Sequence, residues 1–233
     1  MLKHSAKLVN MEIAFSMRWI SFPAILLSSL TLFSTASQAH PHSWIDMKTY
    51  IQGDKKQITG FKMVWTFDAM TTAYMLDGED MSPESKTETL ARVGDSVMKN
   101  MMNEHYFTYF YNDQEPIKYK IATDGVLTKD RAKATLTFEL PLSKPQPLTK
   151  DSLRLLIFEP SYYVDMAWKA KNDIILSPEL SKVCTFDLVE PNPSPEQMLY
   201  AQSLPPDADP DNALGQLFTQ TVKLHCQSAT NSY

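Results

Sequence analysis

Glycine is scarce, 6 in 233 residues, and no G-x-G-x-x-G or G-x-x-x-x-G-K-[ST] run occurs. Loops that cradle a dinucleotide or nucleoside triphosphate need such glycines for close backbone approach, so those ligands are excluded. Basic runs are also missing: Lys and Arg number 22 against 27 Asp and Glu, for a formal net charge of −5. A chain of that balance does not grip a phosphate backbone, and no nucleic-acid partner is expected. Cysteine is limited to Cys184 and Cys226, which form neither a C-x-x-C pair nor a zinc-finger spacing. There is no H-E-x-x-H run and no Ser/His/Asp arrangement that argues for hydrolysis, so the chain reads as a non-enzyme. What is present, 43% hydrophobic and 21% charged residues, suffices for one sizeable domain or two small ones and argues against wholesale disorder.

The first segment reads as an address. Arg18 precedes an apolar stretch from Ile20 to Phe33, and small residues follow to Ser37-Gln38-Ala39. A basic start, a short apolar run and small side chains before a cut make a secretory signal peptide. The run is too short and too broken by serine to span a bilayer well, and no other segment is long enough. The expected organisation is therefore a cleaved signal over 1–39, a β-rich domain over 40–190 and a proline-rich, partly helical tail over 191–233. The expected location is the periplasm, with no stable membrane insertion of the mature chain. In an oxidising compartment Cys184 and Cys226 default to one disulfide that staples the tail. Two free thiols acting as soft metal ligands are the alternative.

Residues 44–51 and 58–67 alternate as strands, the second placing Phe61, Met63, Trp65 and Phe67 on one face, with a hairpin turn at 52–56. A short helix over 69–77 precedes a stronger one from Ser82, with Ser85 and Glu88 as a capping box. Leu90, Val93, Val97, Met101 and His105 form its buried stripe. Met98, Met101 and Met102 at helical spacing are core filler rather than copper ligands. Further strands are expected at 106–111, 116–122, 132–140, 152–158, 162–168 and 182–189. Short helices follow at 195–203 and 211–221. The fold class is α+β: a predominantly antiparallel, sandwich-like β domain with one main amphipathic helix and a disulfide-stapled C-terminal tail.

The chemistry concentrates where the signal ends, in His40-Pro41-His42-Ser43-Trp44-Ile45-Asp46. Cleavage after Ala39 leaves His40 with a free amine and an imidazole able to chelate one ion, and neutral nitrogens suit zinc, nickel or copper. His42 adds a nitrogen. On an extended strand His40, His42, Trp44 and Asp46 project to one side, so Asp46 can ligate or orient a ring. Pro41 has no N–H and so excludes the square-planar mode that uses a deprotonated second amide. The bland reading is a solvated, unordered terminus. A second run, Phe158-Glu159-Pro160-Ser161-Tyr162-Tyr163-Val164-Asp165, places Asp165 on a face with Tyr163; facing inward it is costly unless paired or ligating. Asp68 is a third carboxylate, read as a helix cap. His105 reads as structural and His225, beside Cys226, as incidental, though either is able to complete a site.

These residues, with Trp65-Thr66-Phe67-Asp68 and Tyr106-Phe107-Thr108, resemble a bacterial family of exported proteins of unassigned function. Its members are commonly labelled periplasmic components of an uncharacterised ABC-type transport system. The resemblance covers most of residues 40–190. It implies transition-metal handling, zinc or nickel, beside an inner-membrane permease of the nickel/cobalt exporter type. The expected function is a periplasmic metal-binding accessory protein using His40, His42, Asp46 and Asp165. A metal-free interaction subunit is the alternative, and a copper-brace enzyme is a more distant one.

Overall fold

A computed structural model describes residues 41–205, 209 and 211–227. The signal segment and His40 lie outside the described residues. The chain opens with a hairpin, β1 (Ser43–Gly53) and β2 (Gln57–Phe67), paired antiparallel from Ile45↔Phe67. Asp54 makes the turn, its carboxylate accepting from the amides of Lys56 (2.7 Å) and Gln57 (3.0 Å). Alternation decides the faces: Ser43, Ile45, Met47, Thr49 and Ile51 are buried, while Trp44 and Asp46 lie on the outer side.

Helix α1 (Ala69–Met75) follows at once, then α2 (Lys86–Asn103). The stripe on α2 is as the spacing predicts at Leu90, Val93 and Met101, all buried, with Val97 packed against the core. His105 is exposed and lies beyond the helix. The expected capping box does not form. Ser85 makes no side-chain cap bond, and the helix entry is tied instead by the Thr89 hydroxyl donating to the Asp80 carbonyl at 2.8 Å. Gly94 lets α2 approach the sheet: a Cβ there would stand 3.0 Å from the Leu127 Cβ.

The remaining strands are β3 (Thr108–Asn112), β4 (Glu115–Pro116), β5 (Thr123–Asp130), β6 (Lys133–Pro147), β7 (Leu153–Ile157), β8 (Val164–Ala167), β9 (Ile174–Leu176), β10 (Cys184–Val189) and β11 (Thr221–Cys226). Helices α3 (Pro195–Ser203) and α4 (Asn212–Leu217) lie between the last two strands. One sheet runs β5-β6-β2-β1-β8, with β9 also on β1; the other runs β10-β11-β7-β3-β4. The two inner faces share one hydrophobic core, and Phe61 of β2 meets Phe110 of β3 edge-on with ring centroids 5.2 Å apart. The fold is α+β and mostly antiparallel, as the sequence implied.

Within this mostly antiparallel pattern β8 and β9 pair with β1 in parallel. Three local expectations need correction. Of the 116–122 segment only Pro116 joins a ladder, with Glu115 before it; the rest bridges the sheets through Ile117 N to Phe110 O (2.8 Å) and Lys120 N to Pro141 O (2.9 Å). The strand expected from 162 starts at Val164, because Tyr162 sits in a left-handed turn at φ 57°. The helix expected to reach 221 ends at Leu217, and Thr221–Cys226 is a strand between β10 and β7. Cys184 and Cys226 face each other in that ladder and are bonded, so neither is a free thiol ligand.

Candidate functional site

The parallel pairing of β8 on β1 builds the region the sequence singled out. Trp44 and Asp165 are register partners, and so are Ile45 and Met166. Ile45 and Met166 are buried, so Trp44 and Asp165 stand on the opposite, outer face. One step before the ladder, the His42 amide donates to the Tyr163 carbonyl at 2.9 Å. The His42 ring stacks on the Tyr163 ring with centroids 5.0 Å apart. Two strand starts more than a hundred residues apart thus meet at His42 and Tyr163, with Asp165 two residues further along the chain.

The loop that delivers β8 is made by Glu159. Its carboxylate accepts from the Ser161 amide (2.9 Å), the Ser161 hydroxyl (2.7 Å) and the Tyr163 amide (2.8 Å). This turns the chain at Glu159-Pro160-Ser161 and sets Tyr162 stacking on Phe218 at 4.1 Å. Asp165 then lines a cavity of about 340 Å³ with Tyr162, Glu190, Met198 and Phe218. Burial raises its carboxyl above the ordinary carboxylate range. Burial, with the nearby Asp165 charge, pushes the Tyr162 phenol up to about 12. No described residue donates a hydrogen bond to the Asp165 carboxylate.

Asp46 is placed differently. It shares the outer face with Trp44, but its Oδ2 lies 2.7 Å from the Lys169 ammonium and 3.6 Å from that of Lys133. Two half-exposed lysines thus face it, and an ion bound there would have to displace them. Asp68 is the N-cap of α1, accepting from the Met70 amide at 2.7 Å and the Thr71 amide at 3.0 Å. It also accepts from the Trp44 amide at 3.0 Å, which ties the helix to β1.

Of the remaining histidines, His105 stands alone on the surface at φ 53°. His225 was read as incidental, yet it bridges two carboxylates: Nδ1 to Asp151 at 2.9 Å and Nε2 to Asp187 at 3.1 Å. Both bonds need ring donors, so the geometry fits the imidazolium form. Nothing in the sequence signals this cluster, because its members come from three separate segments. Among the described residues no three His, Cys, Asp or Glu side chains gather as a metal-binding group.

The sequence profile of the family described as "Protein of unknown function (DUF1007)" matches residues 25–226. The chain belongs to this family. It is also 33% identical over 198 residues to a Haemophilus influenzae protein described as uncharacterized, across 81% of this chain and 92% of that protein. Among the described residues no helix is long and apolar enough to cross a membrane.

Proposed function

We propose that this DUF1007 member is an exported transition-metal-binding accessory protein that handles zinc or nickel beside an inner-membrane permease. The observation that supports it most is the parallel β1–β8 pairing, which puts Asp165 beside Trp44 and brings the His42 ring onto Tyr163, two residues before Asp165. Asp165 there is half-buried, with no described hydrogen-bond donor of its own. A desolvated carboxylate without a partner is costly, and a divalent cation offsets that cost. The ring of Tyr163 stacked on His42 restricts the orientation of the imidazole. His40, two residues before His42, lies outside the described residues; its imidazole and, after cleavage at Ala39, its amine are the further ligands of this reading. Asp46 is left out, because two lysines hold it. An open site of three side chains suits exchange with a permease better than a closed structural site.

The test is metal titration of the secreted protein, with its N-terminus fixed by mass. Zinc, nickel or copper should bind one to one, and at a hundredfold excess over Kd should stabilise the fold by about 2.7 kcal/mol. One residue added before His40, or either His42→Ala or Asp165→Asn, should weaken binding by about tenfold or more. A melting temperature unmoved by all three metals would sink the proposal. It would favour a metal-free interaction subunit, for which the exposed Trp44, Met70 and Tyr74 provide a surface.

A further inference from the structure

A second cavity, of about 460 Å³, lies between α2, β3 and the 117–121 segment. It lies within the volume range of small-molecule sites. Its walls are mainly apolar and aromatic, with Met102, Tyr109, Phe110, Ile117 and Ile121 among them. No Asp or Glu lines it, whereas Lys118, Lys120 and His105 do. Neither lysine is in an ion pair among the described residues. Behind the wall, the Arg154 guanidinium lies over the Tyr111 ring at 4.9 Å and binds a carbonyl and a carboxamide rather than a carboxylate. Unpaired cations beside an apolar hollow stand out on a chain of net charge −5. Glu104 and Glu159 are close enough to Tyr109 to add to the burial that lifts its phenol.

Two more wall residues, Tyr106 and Tyr119, anchor the cavity to the core. Tyr106 is 4% exposed, and its phenol oxygen accepts from the Ala122 amide at 3.1 Å. The Tyr119 phenol oxygen is buried with no hydrogen-bond partner among the described residues. Neither phenol proton has a described acceptor. A buried donor without an acceptor is destabilising and rare. Tyr106 is held in place by a tight turn in which His105, Tyr106 and Phe107 all have φ near +50°: 53°, 54° and 50°. Three successive non-glycine residues in the left-handed region are strained, and such strain collects at ligand clamps.

We infer that this cavity binds a small amphipathic anion, an aromatic or medium-chain carboxylate. The apolar walls take its body, and its carboxylate answers the unpaired Lys118 and Lys120 at the rim. This site is separate from the His42 face and does not depend on a metal.

The purified protein can be titrated with the fluorescent anion 1-anilinonaphthalene-8-sulfonate and with its uncharged relative N-phenyl-1-naphthylamine. The anion should bind saturably, once per chain, and be displaced by decanoate. The neutral probe, and decanol as competitor, should be weaker by about tenfold. Met102→Trp, at an exposed position, should fill the mouth and abolish binding. The charge reversal Lys118→Glu with Lys120→Glu should weaken the anion by about tenfold while leaving the neutral probe unchanged. Absence of a saturable anion site, or equal affinity for charged and neutral probes, overturns the inference. The wild-type comparisons decide this even where a variant does not fold.

Discussion

Single carboxylates in this protein are placed by the donors around them. Burial alone lifts the Asp68 carboxyl, but bonds from the Thr71 hydroxyl and the Trp44, Thr71 and Met70 amides outweigh it, and its pKa falls below 3.8. Asp68→Ala should cost about 1–2 kcal/mol in chemical denaturation, since it removes a cap and a tie to β1. The lowered pKa means Asp68 stabilises the fold fully above the ordinary carboxylate value. That contribution is lost as pH falls through the folded value, so Asp68→Asn should flatten the acid limb of the stability curve. His225 works in the opposite sense. The Asp151 bond raises its pKa above 6.5, burial opposes this slightly, and Asp187 adds to the rise. Its stabilisation is complete below 6.5 and fades as pH rises through the folded value. His225→Gln should remove that slope from denaturant midpoints measured between neutral and mildly alkaline pH. Lys171, paired with Asp187 at 3.7 Å, should be included as a charge control.

Among the elements, those with strong periodicity were readable and those without were not. The β1–β2 hairpin, α2 and α3 follow from alternation, helical spacing and a Ser194 cap that accepts from the Gln197 amide. Strand β5 buries only Leu127 among its apolar positions and carries Gly125, so no alternation marks it. Strand β11 did carry a signal: Val222, Leu224 and Cys226 are buried with Lys223 and His225 between them. Neighbouring prolines and the adjoining helix pattern masked it. The parallel β1–β8 pairing depends on a long-range contact that no local pattern encodes, so the meeting of His42 with Tyr163 was not legible. The left-handed run at His105 was not legible either, because none of its residues is glycine. His105→Gly should keep or raise stability, whereas His105→Val should lower the denaturation midpoint by about 1 kcal/mol or more. Breaking the Cys184–Cys226 bond, which spans 42 residues, should cost about 4 kcal/mol in the chain-entropy model, read as the shift between oxidised and reduced protein.

The described part of the molecule has one hydrophobic core, to which both sheets and α2 contribute. Trp65 and Trp168 lie within it, at 0% and 2% exposure, on elements far apart in the chain. The Trp168 indole donates to Thr49 at 3.0 Å, and Gln220 clamps the Trp168 backbone from the far end of the sequence. Such shared burial predicts a single unfolding transition. Tryptophan fluorescence and far-ultraviolet circular dichroism should melt together, and separate midpoints would show that the sheets come apart independently. The α+β class and the outline of the sandwich were visible in sequence because they depend on which residues avoid water. The pairing order was not, because it depends on which distant strands find each other.

Strand β11 is the last described strand, yet it occupies an inner place, with β10 on one flank and β7 on the other. Until Thr221–Cys226 has been synthesised, both flanks lack their ladder partner. A chain cut before Thr221 would strip β10 of its ladder and leave β7 paired to β3 alone. The bared rim of β7 would then invite a foreign strand, so truncation there should turn a monomer into a self-associating species.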